Sequence, residues 1–340
     1  MTPPPNGPQP IAVLGAGSWG TTLAIHLARI GHDVRLWARD PDLVAQLRQT
    51  RANPVYLPGA TLPDAVRPSA SLEDAVRGAT FAVAAVPSHG MRGVIRAAEP
   101  FLSADAIAVS AAKGLEADTL LRMSEIMATE LGSRRIVVLS GPSFAAEVAR
   151  QLPTAICAAS TDLSAAEAVQ REFRARYFRL YVTDDVTGVE IGGAMKNVIA
   201  IAAGVNEALG LGHDALAALI TRGLAEISRL ACAVGGRRET LAGLSGLGDL
   251  VLTCTGSLSR NRKVGMELGR GRPLPDILAG MRMVAEGVRT AGAALALGAR
   301  HGVELPIAAQ MQQVLEGRKD PRTAVEDLML RPQRAEREAG

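Results

Sequence analysis

A single lysine, Lys196, is the residue best placed to do chemistry, because it interrupts the nearly apolar segment 190–203. If that segment is helical, Ile199, Ala200 and Ala203 lie on the same face as the lysine. A lysine on an apolar face pairs with an anion, extends to solvent or acts chemically. Desolvation would lower its pKa towards the range that acid–base catalysis requires. The pattern leaves catalysis and a solvent-reaching side chain equally open.

A glycine-rich turn, Gly15-Ala16-Gly17-Ser18-Trp19-Gly20, follows a short apolar run at 11–14 and opens a predicted helix. In that context Gly15 permits a tight turn, Gly17 lets a pyrophosphate approach the backbone, and Gly20 lets the helix pack on the strand. The helix N-terminus would present unpaired N–H groups to the phosphates. An ordinary glycine-rich turn is the alternative, but the strand–turn–helix context favours a dinucleotide site.

The end of the second predicted strand bears on which dinucleotide is bound. An acidic residue there would hold the ribose 2′-OH, but this chain has Trp37-Ala38-Arg39. The Arg39 guanidinium can bind a 2′-phosphate, so the sequence favours NADP(H) over NAD(H). A solvent-exposed arginine is the alternative interpretation. Asp40 precedes a proline and is predicted to cap the next helix.

Polar residues also follow two other predicted strands. Lys113 comes after the strand at 106–110, and Gly141 and Ser143 come after the strand at 136–140. Ligands in open α/β sheets bind beyond the carboxyl ends of the strands, so these residues could meet an anionic ligand. A solvated loop lysine and a simple helix cap are the alternatives.

A third polar cluster, Ser259-Arg260-Asn261, stands at the start of a predicted helix and follows Gly246-Leu247-Gly248-Asp249. A helix start with serine, arginine and asparagine side chains suits a phosphate, and arginine can bind it in a bidentate manner. A capped helix with surface basic residues is the alternative.

An α/β architecture would position these groups. Strands are predicted at 11–14, 34–37, 80–86, 106–110, 136–140, 154–158 and 178–182, with helical stretches such as 119–131 and 164–171 between them. This alternation predicts a Rossmann-type, doubly wound α/β domain. No strand is predicted after 188. The chain beyond that point is predicted to form an all-α domain, with helices at 190–209, 214–234, 261–268, 286–302 and 306–316. The predicted division is a disordered tail at 1–9, domains at 10–187 and 188–330, and a polar tail at 331–340.

Composition narrows the function further. The 340 residues are 48% hydrophobic and carry a net charge of only +3, so small anions are better partners than nucleic acid. The sequence predicts neither a membrane span nor a signal peptide. Three scattered cysteines and five histidines without ligand spacing predict no disulfide framework and no metal site, and the predicted compartment is the cytoplasm.

Together and in this order, across about 11–330, these motifs closely resemble bacterial NAD(P)-dependent glycerol-3-phosphate dehydrogenases. The resemblance implies reversible reduction of dihydroxyacetone phosphate to sn-glycerol 3-phosphate, which supplies glycerophospholipid synthesis. It implies that Lys196 is the general acid/base. It also implies a substrate site formed by Lys113, Gly141, Ser143, Lys196, Asp249, Ser259, Arg260 and Asn261. It implies cofactor contacts from Gly15, Gly17, Ser18, Trp19, Gly20, Arg39, Lys113, Ala145, Arg260, Val284 and Glu286.

Two other functions fit parts of the pattern. A β-hydroxyacid-type dehydrogenase would share the two-domain plan and the helix lysine, but Ser259-Arg260-Asn261 argues for a phosphate rather than a carboxylate substrate. An NADPH-binding sensor would need only the glycine turn, and the presence of both Lys113 and Lys196 argues against it. The alanine-rich helical part could support a homodimer.

Overall fold

The structure, a computed structural model, describes residues 7–332; the rest of the predicted tails, 1–6 and 333–340, lies outside the described residues. Eight strands form one sheet in the order β10-β9-β8-β7-β6-β1-β2-β5, and β3 and β4 form a small antiparallel pair. The strands are β1 Pro10–Leu14, β2 Asp33–Trp37, β3 Ala52–Asn53, β4 Leu57–Thr61, β5 Val66–Ser69, β6 Phe81–Ala84, β7 Ile107–Ser110, β8 Ile136–Ser140, β9 Thr154–Ala159 and β10 Phe178–Thr183. Neighbours in the large sheet are parallel except β8 and β9, which are antiparallel.

Sixteen α-helices occur in the described part of the chain. They are α1 Ser18–Arg29, α2 Pro41–Thr50, α3 Leu72–Val76, α4 Met91–Ala98, α5 Met123–Leu131, α6 Ala145–Ala149, α7 Leu163–Phe173, α8 Val186–Ala208, α9 Gly212–Ala233, α10 Arg238–Leu241, α11 Asp249–Thr255, α12 Arg260–Gly269, α13 Leu274–Ala279, α14 Glu286–Arg300, α15 Pro306–Leu315 and α16 Pro321–Met329. Short 3₁₀ turns occupy Ser88–Gly90 and Glu99–Phe101, and a π-helical turn, Leu244–Gly248, leads into α11.

Both faces of the sheet are covered, as a doubly wound fold requires. Side chains alternate along β1, so that Ile11 and Val13 enter one apolar cluster while Ala12 and Leu14 enter the other. The first cluster includes residues of α1, α2 and α7, and the second includes residues of α3, α4 and α5. The strands are therefore apolar on both sides, which explains their continuous hydrophobic runs in the sequence.

The helical part is organised around α8. Its residues from Gly188 to Asn206 are all buried, and the helix packs against α9, α11, α12 and α14. Glycines allow the closest of these contacts: a Cβ at Gly265 would lie 1.9 Å from the Ile201 carbonyl oxygen, and one at Gly204 would lie 1.9 Å from that of Arg262. By length and composition α8 could cross a membrane, but its whole apolar window is buried inside the protein. It is the core helix of this half.

The predicted fold class is confirmed, and the seven predicted strands are present. Several helix starts were wrong. The helix predicted at 190–209 begins at Val186. The helix predicted at 119–131 begins only at Met123, because Leu120 adopts a φ of 64°. The helix predicted to open at Ser164 begins at Leu163, and its cap is Asp162, whose carboxylate accepts from two backbone N–H groups. Strands give way to helices between Thr183 and Val186, and the domain limits at 187 and 188 stay a prediction.

Candidate active site

A buried carboxylate joins two of the predicted lysines. Asp249, the first residue of α11, is 1% exposed. One of its oxygens, Oδ1, accepts a hydrogen bond from Lys196 Nζ at 2.6 Å, and the other, Oδ2, accepts one from Lys113 Nζ at 2.6 Å. Lys196 Nζ also donates to Thr253 Oγ1 at 2.7 Å. Residues from three distant parts of the chain thus form one polar cluster.

Lys196 belongs to α8 and is 7% exposed, so it does not reach far into solvent. Burial lowers its pKa from 10.5 to about 8; the negative charge of Asp249 opposes this fall and the positive charge of Lys113 adds to it. An amine with a pKa near neutrality can both donate and accept a proton under physiological conditions. Lys196 is therefore buried and paired with Asp249 rather than extended to solvent, and its catalytic role stays a prediction.

Lys113 ties this cluster to the ends of the central strands. It follows β7, and its ammonium also donates to the Gly141 carbonyl oxygen at 3.0 Å, just beyond β8. Gly141 has a φ of 139°, and a Cβ there would lie 2.9 Å from Ile156 Cα, so the position requires glycine. Ser143 Oγ donates to the same carbonyl at 3.0 Å. Lys113, Gly141 and Ser143 therefore lie together, as predicted.

The start of α12 lies beside Lys196 through a pair of asparagines. Asn261 Nδ2 donates to Asn197 Oδ1 at 2.8 Å, and Asn261 Oδ1 accepts from the Gly287 N–H at 3.0 Å. Ser259 caps α12 by accepting from the Arg262 N–H at 3.2 Å. The predicted cap is present, and the pair of asparagines holds the first turn of α12 against α8.

Arg260 is exposed at this helix start and makes no hydrogen bond or ion pair with a described residue. Partial desolvation lowers its pKa, while the negative charge of Glu286 opposes that effect. Glu286 begins α14 and accepts hydrogen bonds from the Ser88 N–H at 3.1 Å and the Ser88 hydroxyl at 2.5 Å. A free guanidinium beside the cluster is suited to an anion such as a phosphate.

The glycine turn has the shape that a pyrophosphate needs. A Cβ at Gly20 would lie 1.8 Å from the Gly15 carbonyl oxygen, and one at Gly15 would lie 2.7 Å from that of Ala85. A Cβ at Gly17 would meet nothing within 4 Å, although Gly17 is the N-cap of α1 and no side chain caps the helix there. The open space in front of the helix N-terminus fits a dinucleotide phosphate, so the residues present fit this cofactor.

The other predicted cofactor residues are spread around this turn. Ser18 Oγ donates to the Tyr56 carbonyl oxygen at 2.6 Å, and the carbonyl of Ala145 accepts from Thr22 of α1 at 3.1 Å. Trp19 packs on the apolar cluster under α1, and Val284, half-buried, precedes α14. Arg39 is exposed just after β2 and has no hydrogen-bond or ion-pair partner among the described residues. None of these five hydrogen-bonds to the lysine cluster.

Sequence reasoning missed two residues in this region. Thr253 accepts from Lys196 and donates to the Asp249 carbonyl oxygen at 2.6 Å, and its spacing of four residues from Asp249 on one helix was the available signal. Ser88 holds Glu286 and lies against Gly114, where a Cβ would come within 2.7 Å of the Ser88 Cβ. Its partner is 198 residues away, so no local pattern indicates it.

The strand ends of a dinucleotide-type sheet here meet a buried lysine–carboxylate pair from the helical half. This arrangement defines the class of two-domain NAD(P)-dependent dehydrogenases. Among the described residues no group of three or more His, Cys, Asp or Glu side chains could hold a metal ion. Residues 10–166 match the family model "NAD-dependent glycerol-3-phosphate dehydrogenase N-terminus", and residues 185–326 match the model of the C-terminus. The chain belongs to the NAD-dependent glycerol-3-phosphate dehydrogenase family, and it is an oxidoreductase that uses NAD(P)(H).

Individual relatives are similar to this chain over almost its whole length. A glycerol-3-phosphate dehydrogenase (NAD(P)+) of Syntrophotalea carbinolica is 54% identical over 96% of this chain and 99% of its own length. One from Koribacter versatilis is 55% identical over 96% of this chain and 98% of its own length. The crystal structure of glycerol-3-phosphate dehydrogenase from Coxiella burnetii is 41% identical, with a TM-score of 0.92 over 95% of this chain and 99% of that one.

Proposed function

We propose that this chain catalyses the reversible reduction of dihydroxyacetone phosphate to sn-glycerol 3-phosphate and thereby supplies glycerophospholipid synthesis. The observation that carries the proposal is the buried hydrogen bond of Lys196 to Asp249. Beside it, Asn197 is bonded to Asn261, the residue that follows Arg260, which is unpaired among the described residues. The family assignment supports the same substrate pair. A phosphate anchor and a proton donor are the two protein groups that this reaction needs.

Lys196 is the proposed general acid and base. In the reducing direction its ammonium polarises the ketone and then protonates the oxygen, while the nicotinamide cofactor supplies the hydride. In the oxidising direction the neutral amine accepts the hydroxyl proton. A pKa of about 8 keeps both forms accessible. Asp249 holds the ammonium in place through Oδ1.

The proposed substrate site surrounds this amine and is formed by Lys113, Gly141, Ser143, Asp249, Ser259, Arg260 and Asn261. Arg260 and the first turn of α12 bind the phosphate, because a guanidinium and free helix N–H groups both favour an anion. Lys113 adds a second positive charge. Arg260 at the start of α12, unpaired among the described residues, is what favours a phosphorylated substrate over a carboxylate substrate.

The proposed cofactor site follows the glycine turn: Gly15, Gly17, Ser18, Trp19, Gly20, Arg39, Lys113, Ala145, Arg260, Val284 and Glu286. Arg39 has no other described partner, which supports a contact with a 2′-phosphate and a preference for NADP(H) over NAD(H). We further propose that the enzyme acts in the cytoplasm on a small-molecule substrate, without a nucleic-acid partner or membrane insertion, and forms a homodimer.

The test compares dihydroxyacetone phosphate with phosphate-free dihydroxyacetone as substrates for the wild type, Lys196→Met and Arg260→Ala. We expect Lys196→Met to lower kcat at least about a hundredfold while NADPH affinity stays within about threefold, because a general acid acts in the transition state. We expect Arg260→Ala to raise KM for the phosphorylated substrate and to leave the phosphate-free one unchanged.

A matched control is Arg300→Ala, since Arg300 is also exposed and unpaired among the described residues but lies in the last turn of α14 rather than at the start of α12. Near-normal turnover by Lys196→Met would refute the acid–base role. An equal loss with both substrates in Arg260→Ala would refute the phosphate role.

A further inference from the structure

Four arginines line one cavity that shares no lining residue with the proposed active site. Arg171, Arg174, Arg176 and Arg179 are all exposed, and they surround a cavity of about 410 Å³ between the end of α7 and the start of β10. We call this cavity the arginine groove. None of its lining residues belongs to the proposed substrate or cofactor sites. Its volume falls within the range of small-ligand pockets.

The charges in the arginine groove are not neutralised. None of the four guanidinium groups forms an ion pair or a hydrogen bond with a described residue; Arg179 only lies over the Tyr181 ring, at 6.0 Å from its centroid. Glu167, one turn before Arg171, does not pair with it. Other exposed arginines, such as Arg67 with Asp33, pair with carboxylates, and those outside the groove that are unpaired among the described residues, such as Arg39 and Arg300, lie far apart in the sequence.

Helix stabilisation explains only part of this arrangement. Arg171 lies in the last turn of α7 and Arg174 is its C-cap, where positive charges interact favourably with the helix dipole. Arg176 and Arg179 lie beyond the helix, so the dipole gives no reason for them. Like charges on neighbouring positions repel, and a cleft lined by a single sign of charge concentrates the field on an anion.

The wall of the groove is held in place from behind. His26 of α1 bonds through Nε2 to the Phe173 carbonyl at 2.7 Å and through Nδ1 to the Tyr177 hydroxyl at 2.8 Å. Burial lowers the pKa of His26 to about 4, so this link persists unchanged at neutral pH. Gln170 Nε2 donates to the Leu180 carbonyl oxygen at 2.8 Å and joins α7 to β10. The arginines therefore project from a fixed frame rather than from a loose loop.

We propose that the arginine groove binds a diphosphate or triphosphate group, either free or carried by a nucleotide. Guanidinium groups bind phosphate oxygens in pairs, and a chain of phosphates offers enough acceptor oxygens for several of them at once. The groove is concave and open to solvent on one side, so a small anion can contact several of its arginines, whereas a membrane surface is flat. Binding here is independent of the proposed function, because no residue is shared with that site.

The experiment measures pyrophosphate binding to the full chain by calorimetry with the dinucleotide site saturated by NADPH. Inorganic pyrophosphate, ADP and inorganic phosphate are titrated separately into the wild type and the double variant Arg174→Gln/Arg176→Gln. We expect one pyrophosphate site per chain, weaker binding of phosphate, and at least about tenfold weaker pyrophosphate binding in the double variant. ADP binding as tightly as pyrophosphate would identify a nucleotide as the source of the group, and weaker ADP binding would identify the free anion.

The control is Arg300→Gln/Arg322→Gln, which removes the same charge from two exposed, unpaired arginines elsewhere; Arg300, like Arg171, is in the last turn of its helix. We expect this control to bind pyrophosphate within about twofold of the wild type, since distant surface charges are screened. Both double variants should keep wild-type turnover, which shows that they fold. Absence of pyrophosphate binding to the NADPH-saturated wild type, or equal weakening in both double variants, would each overturn the proposal.

Discussion

Replacing Asp249 by asparagine tests how the site sets the protonation of Lys196. The substitution keeps the size of the side chain and an acceptor oxygen but removes the charge that both lysines share. Because the negative charge of Asp249 raises the pKa of Lys196 against burial, its loss must lower that pKa further. The freed Lys113 ammonium acts in the same direction.

The size of the shift follows from the contact itself. The Lys196–Asp249 hydrogen bond is 2.6 Å long and links two charged groups. A hydrogen bond to a charged group contributes about 1.5–3 kcal/mol, and one pKa unit corresponds to about 1.4 kcal/mol. The pKa of Lys196 should therefore fall from about 8 to between about 6 and about 7 in Asp249→Asn. At about pH 7 the ammonium form would drop from about nine-tenths of the molecules to about half or less.

The assay is kcat/KM for reduction of dihydroxyacetone phosphate at saturating NADPH between about pH 5 and about pH 10, since this parameter reports the pKa of the enzyme–NADPH complex before the ketone binds. The wild type should lose activity as the pH rises through about 8, and Asp249→Asn should lose it at least about one pH unit earlier. Thr253→Val removes a neutral partner of the same ammonium and should shift the profile less. A uniform loss of activity at every pH, with the midpoint unmoved, would show that Asp249 does not act through Lys196.

Two further predictions concern other parts of the molecule. Gly17→Ala should fold normally but raise KM for NADPH at least about tenfold, because its Cβ enters the open space before α1. Gly20→Ala should instead lower Tm, because its Cβ would lie 1.8 Å from the Gly15 carbonyl oxygen. Equal NADPH affinity in the wild type and Gly17→Ala would contradict the first expectation. Burial raises the pKa of Glu226 from 4.5 to about 7. The contribution of Glu226 to the free energy of unfolding is therefore fully present below about pH 4.5 and is lost as the pH rises through about 7, by up to about 3 kcal/mol. Chemical unfolding of Glu226→Gln across this window should show a flatter dependence on pH, and an unchanged slope would contradict the assignment.

Local sequence predicts those parts of the molecule whose cause is local. The glycine turn, the Asp40 cap of α2 and the Ser259 cap of α12 each follow from a few adjacent residues, and all three have the predicted form. The strand pair β3 and β4 and the edge strand β5 were missed. In β4 and β5 the residues Pro58 and Pro68 interrupt the alternation that marks a strand, and a proline is tolerated at β5 because that strand is at the edge of the sheet.

Contacts between distant residues are harder to predict. Lys196 could be selected as a lysine in an apolar segment, whereas Asp249 was selected only through the resemblance to a family. Their shared hydrogen bonds depend on the packing of α11 against α8, which no spacing in the sequence encodes. Thr253 and Ser88 were missed for this reason: each is an ordinary residue type, and its partner lies on another element.

The charge of the site explains why a nearly neutral chain can select a small anion. The whole chain carries only +3, but Lys113 and Lys196 share a single carboxylate, Asp249, and Arg260 forms no ion pair with a described residue. That carboxylate is shared by two ammonium groups, so it orients them without neutralising both. The negative charge of Glu286 raises the pKa of Arg260, but the Glu286 oxygens already accept hydrogen bonds from Ser88. The positive excess therefore stays at the strand ends, where a phosphorylated ketone and a dinucleotide would both meet it.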